Sequence, residues 1–122
     1  PPRSTLFPYT TLFRSVGDGG IQMLIAELGT LKQSGHKMIV LLFNNHRLGM
    51  VRELQDTQFN SNYYSVDWEF TPDFIKVAEA YGLDAVRVSS NADLPGVFDA
   101  ALASDGPYFI ECMVDPDENC LT

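Results

Sequence analysis

The sequence predicts an α/β domain in three layers, a parallel sheet with helices on both faces. Residues 37–43 read Lys, Met, Ile, Val, Leu, Leu, Phe, an apolar run whose length and β-branched content suit a strand buried on both sides, and residues 108–114 form another. Helical periodicity fills the intervals between strand-like runs, so strands and helices alternate as right-handed crossovers require. Turn residues close two of the apparent strands, Gly17-Asp18-Gly19-Gly20 the first and Asn44-Asn45 the second. Open parallel sheets bind ligands at that end of their strands. At 122 residues the chain is about one domain, and it carries no internal repeat, low-complexity tract or internal boundary.

Residues 1–15 stand apart from the rest. Thr5-Leu6-Phe7 is echoed by Thr11-Leu12-Phe13, and the Pro, Thr and Phe mixture matches nothing downstream. The segment resembles a translated short-read sequencing adapter, whose codons spell all fifteen residues in order, and such a scar is excluded from fold reasoning. The natural domain is then expected over residues 16–122, N-terminally truncated, with only Val16 left of the strand that should lead into the glycine turn. Residues 10–16 are β-prone enough to be recruited as a substitute strand.

Over residues 22–33, Leu24, Ile25, Leu28 and Leu31 recur at helical spacing, and Ser34-Gly35 suit the end of that helix. After the buried strand comes a loop at 44–49 and a shorter helix over about 50–55. Residues 56–70 follow neither period and are expected to be an irregular excursion near a site. Thr71-Pro72-Asp73 predicts a helix start with Thr71 as N-cap and Pro72 at the first helical position, and Phe74, Val77, Ala78 and Tyr81 form its buried stripe up to Gly82. A short strand at 85–88 and a helix at 94–103, with Pro95 tolerated in the first turn, lead into the last strand.

Composition narrows the function. The net charge of −8 argues against a nucleic-acid partner, because phosphate backbones call for clustered Lys and Arg. Without Arg3 and Arg14, six basic residues face 16 acidic ones, a balance of −10. No apolar run approaches the roughly 20 residues of a membrane span, and the start of the chain does not read as a signal peptide. Two cysteines, Cys112 and Cys120, make no disulfide framework, so a reducing, cytoplasmic setting is expected.

The chemistry resides in the two turns. Asp18 offers a hard carboxylate oxygen and Asn45 a neutral amide oxygen, while Gly17, Gly19 and Gly20 let backbone approach a phosphate, which together is the ligand set magnesium prefers. Asp18 needs a cation between itself and a phosphate. Two other phosphate motifs fail, since Gln22 occupies the last glycine position of a dinucleotide fingerprint and no Gly-Lys-Ser/Thr is present. His46 reads as a solvent-exposed loop histidine rather than an acid/base group. Met23 and Met50 flank the site, where they either fill core or touch a cofactor.

With these residues assembled, the chain resembles the C-terminal domain of thiamine-diphosphate enzymes, most closely the acetolactate synthase (acetohydroxyacid synthase) large subunit. The stretches that carry the resemblance are Gly17-Asp18-Gly19-Gly20-Ile21-Gln22-Met23, Ala26-Glu27-Leu28, Asn44-Asn45, Leu48-Gly49-Met50-Val51-Arg52, Pro72-Asp73-Phe74, Ala78-Glu79-Ala80-Tyr81-Gly82 and Asp105-Gly106-Pro107. It implies that Asp18, the Asn45 side-chain oxygen and the Arg47 backbone carbonyl hold magnesium against the diphosphate, with Gly49 and Met50 near the aminopyrimidine and substrate. It also implies decarboxylation of pyruvate and condensation with a second 2-oxo acid in branched-chain amino acid synthesis. FAD is compatible with the parent enzyme.

The activating glutamate is expected on a pyrimidine-binding domain of a partner subunit, in a homodimer or tetramer, so no catalytic residue is expected in this chain and the chain alone should be inactive. Two departures stand out. Leu54 occupies a position where synthases of this family usually carry Trp, and the ending Glu118-Asn119-Cys120-Leu121-Thr122 lacks the usual proline. Glyoxylate carboligase, pyruvate oxidase and 2-oxo acid decarboxylases share the diphosphate motif. A non-catalytic diphosphate-binding module and a flavodoxin-like or Rossmann nucleotide binder are the readings from other classes.

Overall fold

The computed structural model describes residues 12–118. The first eleven residues of the adapter-like segment, Cys120 and most of the divergent ending lie outside them. Nine elements follow in order: β1 (Leu12–Gly17), α1 (Asp18–Met23), α2 (Glu27–Ser34), β2 (Met38–Asn44), α3 (Gly49–Gln58), α4 (Phe74–Ala80), β3 (Asp84–Val88), α5 (Leu94–Ala103) and β4 (Tyr108–Met113). All strand pairs are parallel and the sheet order is β1-β2-β4-β3.

Alternation along the strands builds the three layers. From β2, Val40 and Leu42 point to one face, where they join Ile21, Leu28, Phe74, Ala78, Leu83 and Phe109 beneath α1, α2 and α4. Ile39 points to the other, where it meets Val88, Ala101 and Ile110 beneath α5. The unbroken apolar run of β2 therefore reflects burial on both faces, as its sequence requires. Cys112 packs at the edge of the second cluster, and burial there, with Glu111 beside it, raises its thiol pKa, so it behaves as a small apolar side chain.

The β-prone stretch before the glycine turn does pair. Leu12 to Gly17 align with Met38 to Phe43, and Val16 packs against the first cluster. The strand is nevertheless thinly covered, with every residue but Val16 exposed. Phe13 stacks on Phe98 of α5, with ring centroids 5.7 Å apart.

Three boundaries differ from expectation. The single helix over 22–33 is two, because the amides of Leu24, Glu27, Leu28 and Gly29 bond three residues back rather than four, tightening the chain into a turn that leaves Leu24 54% exposed. The N-cap of α4 is Asp73, whose side chain accepts from the Lys76 amide at 3.5 Å, so Thr71 and Pro72 lie outside the helix. An acidic cap suits the positive helix end at least as well as threonine. Helix α3 extends to Gln58, past the expected 55. Among the described residues no helix is long and apolar enough to cross a membrane.

Candidate functional site

Parallel pairing places both turns at one edge of the sheet. Gly17 ends β1 opposite Phe43, and the chain leaves β2 one residue later at Asn44. Between the two turns lies a cavity of about 430 Å³, lined by Gly17, Asp18, Gly19, Gly20, Asn45, Arg47, Gly49 and Met50 among others. Of the residues expected to hold the cation or touch the cofactor, Met23 alone is not in this lining; it ends α1 with 80% of its surface exposed. Met50 lines the cavity while 83% exposed, so one side of the site is open.

Asp18 is the unusual group. Its side chain is 2% exposed, Oδ1 accepts from the Gly19 amide at 2.9 Å, and Oδ2 is buried with no hydrogen-bond partner among the described residues. Burial raises its pKa above the ordinary carboxylate value, opposed by the Gly19 amide, the charge of His46 and the Arg47 amide. A buried carboxylate oxygen left without a donor calls for a cation. Among the described residues no group of three or more His, Cys, Asp and Glu side chains is placed to hold a metal. A cation beside Asp18 would therefore complete its shell with amide and carbonyl oxygens, water and ligand oxygens, as magnesium does in phosphate sites.

Two glycines permit the loops to approach. A Cβ on Gly19 would lie 2.5 Å from Leu48 Cδ2, and one on Gly49 would lie 2.9 Å from Asn45 Nδ2. Asn45 turns its Oδ1 onto the Arg47 amide at 3.3 Å. The Arg47 side chain is engaged elsewhere in the chain, donating from Nη1 to the Pro116 carbonyl at 2.8 Å and pairing with Asp117 and Asp67. The Arg47 residue can therefore serve the loop through its backbone, whatever its side chain. His46 is exposed, sits at φ 57° and meets Thr71 Oγ1 through Nδ1 at 3.1 Å.

Sequence reasoning missed the segment that braces this loop. Residues 59–70 are irregular as expected, but they return antiparallel to it: Leu48 donates to the Val66 carbonyl at 2.7 Å, Trp68 donates to the His46 carbonyl at 2.9 Å, and Arg47 bridges Asp67. Asp67 also lies 3.3 Å from Arg52 Nε, although neither arginine Nε makes a well-directed hydrogen bond. Val66 is buried and Trp68 packs over Gly19. The signal was a three-residue alternation of Val66, Asp67 and Trp68, too short to stand out. Arg52 stacks on the Tyr63 ring at 3.9 Å, and Asp56 takes the Tyr63 and Ser61 hydroxyls, which tie α3 to the same segment.

Known proteins share this fold and much of its sequence. Residues 5–112 match the model of the thiamine pyrophosphate enzyme, C-terminal TPP binding domain. The acetolactate synthase isozyme 2 large subunit of Escherichia coli K12 is 34% identical over 112 residues, 92% of this chain and 20% of that protein. The acetolactate synthase of Arthrospira platensis is 37% identical over 114 residues, 93% of this chain and 20% of its own length. Among solved structures, the thiamine diphosphate-dependent 4-hydroxybenzoylformate decarboxylase of Rhodococcus jostii RHA1 superposes with a TM-score of 0.84 at 26% identity, covering 93% of this chain and 21% of that one. The chain thus spans about a fifth of the length of these relatives. The fold, the paired turns and the family match agree: the chain belongs to the thiamine pyrophosphate enzymes, through their C-terminal TPP-binding domain.

Proposed function

We propose that the cavity binds magnesium and the diphosphate of thiamine diphosphate, with Asp18, Asn45 Oδ1 and the Arg47 carbonyl as the protein's ligands to the cation. The observation that carries this reading is the buried, unpartnered Asp18 Oδ2 beside the Asn45 loop. The backbone of Gly17, Gly19 and Gly20 would hold the phosphates, and Gly49, Met50 and, from the exposed end of α1, Met23 would supply the remaining contacts to the cofactor. When bound, thiamine diphosphate supplies the electron sink for decarboxylating a 2-oxo acid.

The parent is read as an acetolactate synthase-type carboligase, joining the decarboxylation product of pyruvate to a second 2-oxo acid for branched-chain amino acid synthesis. It is cytoplasmic, compatible with FAD, and works as a homodimer or tetramer whose partner subunit brings the pyrimidine-binding domain and activating glutamate. Residues 1–15 are read as adapter-derived. A second reading, a 2-oxo acid decarboxylase, is favoured by Leu54 and by the likeness to the Rhodococcus structure.

Calorimetry of the 122-residue chain with thiamine diphosphate should give heat that depends on magnesium and vanishes with EDTA, while flavin and nicotinamide nucleotides give none. Heat unchanged by EDTA would overturn the cation site. Acetolactate formation by the chain alone is expected to be undetectable, and measurable product would remove the need for a partner domain. Gly49→Ala should weaken magnesium-dependent binding by about tenfold, or ~1.4 kcal/mol, because its methyl displaces the Asn45 amide. Its melting temperature should not fall, since alanine favours the start of α3; a drop in melting with binding intact would contradict the close-approach argument.

A further inference from the structure

A glutamate in the middle of a buried strand needs partners for both oxygens, or burial would force it neutral. Glu111 of β4 is 1% exposed and divides its oxygens between two neighbours. Oε2 accepts from Arg87 Nε at 2.7 Å, and Arg87 is held in turn by Asp73, the N-cap of α4, at 3.1 Å. Oε1 accepts from Asn44 Nδ2, also at 2.7 Å.

That second bond orients Asn44. A primary amide has a donor end and an acceptor end, so occupying Nδ2 with Glu111 leaves Oδ1 as the end offered to the loop. Asn44 Oδ1 accepts from the His46 amide at 3.1 Å, while its carbonyl receives the Val114 amide at 2.9 Å. His46 has φ 57°, a left-handed conformation that a non-glycine residue adopts only when held. This reversal of the chain sets Asn45 and Arg47 into the cavity lining, whereas Glu111 lines a separate cavity with Asn44, Thr71 and Arg87.

We infer that Glu111 is a positioning residue for the cation loop, acting through Asn44 and the His46 amide to present Asn45 and Arg47. The inference rests on the magnesium reading of Asp18 and Asn45. It predicts that the polarity of the Asn44–Glu111 pair matters more than the identity of either residue. Asn44→Asp sets two carboxylates against each other, and Glu111→Gln sets two amides in competition with Arg87. In the double variant, the amide at position 111 can accept from Arg87 and donate to the carboxylate at position 44. That carboxylate still accepts from the His46 amide, and the net charge is unchanged.

The test is Mn²⁺ affinity in the presence of thiamine diphosphate, read by water-proton relaxation on the full chain well below its melting temperature. Each single variant should weaken Mn²⁺ by about tenfold, and the double variant should return to within about threefold of the parent. Asp18→Asn is the control and should abolish the signal. If the control abolishes it while both singles stay within about twofold, or if the double does not recover, the positioning role fails and the cation site stands. If Asp18→Asn leaves Mn²⁺ binding unchanged, the cation site itself fails. Should Asn44→Asp not fold, Glu111→Gln decides: lowered melting with unchanged Mn²⁺ affinity means a structural role only and overturns the inference.

Discussion

Asp18→Asn is expected to abolish cation-dependent binding of thiamine diphosphate and, in the same protein, to raise the melting temperature of the cation-free chain. The two effects share one cause. The Asp18 carboxylate is buried with one oxygen unpartnered, and burial holds its pKa above the usual value. An acid with a raised folded pKa keeps its proton longer folded than unfolded, so stability declines as pH rises from the unfolded value through the folded one. Above that folded value the cation-free chain carries the full cost. Asparagine retains an oxygen for the Gly19 amide, 2.9 Å from Oδ1 in the parent, and removes the charge. It leaves an amide donor buried instead, which costs less than an unpaired charge.

The expected gain is a few degrees, on the scale of ~4–8 °C per kcal/mol for a domain of this size. On acidification without cation, the parent should close the gap as Asp18 takes up its proton. Saturating magnesium with thiamine diphosphate should reverse the order, because a cation favours the carboxylate and its stabilisation is lost as pH falls. Thermal melts with and without cation, at neutral and mildly acidic pH, check both signs. A variant that melts below the parent without cation would refute the burial argument; one that keeps magnesium-dependent stabilisation would refute the ligand role.

The same site separates what the sequence could disclose from what it could not. The turn at Asn44-Asn45 was legible because the buried apolar run of β2 comes before it and residues unsuited to a strand follow, whereas the turn at Asp18 was legible from its glycines alone. Their meeting followed from parallel topology alone. Helix α5 was legible to the residue, since Pro95 marks its first turn and Asp105-Gly106 its exit. The linkage of Asn44 to Glu111 and Arg87 was not, because polar residues inside strands become meaningful only when register shows which of them meet. The kink between α1 and α2 escaped for a related reason: Leu24, Ile25, Leu28 and Leu31 fit a straight helix, and only packing reveals Leu24 in solvent. Periodicity reports that a face is apolar, not how far the chain follows it.

Phe109→Ala should be the most destabilising single core change, at about 3–5 kcal/mol, against a domain stability of roughly 5–15 kcal/mol. Phe109 is fully buried at the start of β4, which is paired on both sides, opposite Val40 of β2 and Ala85 of β3. Its ring lies among residues of α1, α2 and α4, so truncation would open a cavity that joins four elements and cannot collapse without moving the sheet. Phe13 is the contrasting case, the same residue type on β1 but 51% exposed, with the ring of Phe98 as its stacking partner. Its replacement by Ala should cost no more than about 1.5 kcal/mol. Urea denaturation of both variants with a shared m-value would test this. Equal losses would mean that β1, despite its exposed faces, carries as much of the fold as the centre of the sheet. A large loss at Phe109 alone would place the cooperative core in β2, β4 and β3. In that case residues 12–15 lend the Asp18 turn a strand to leave from while contributing little to holding the domain together.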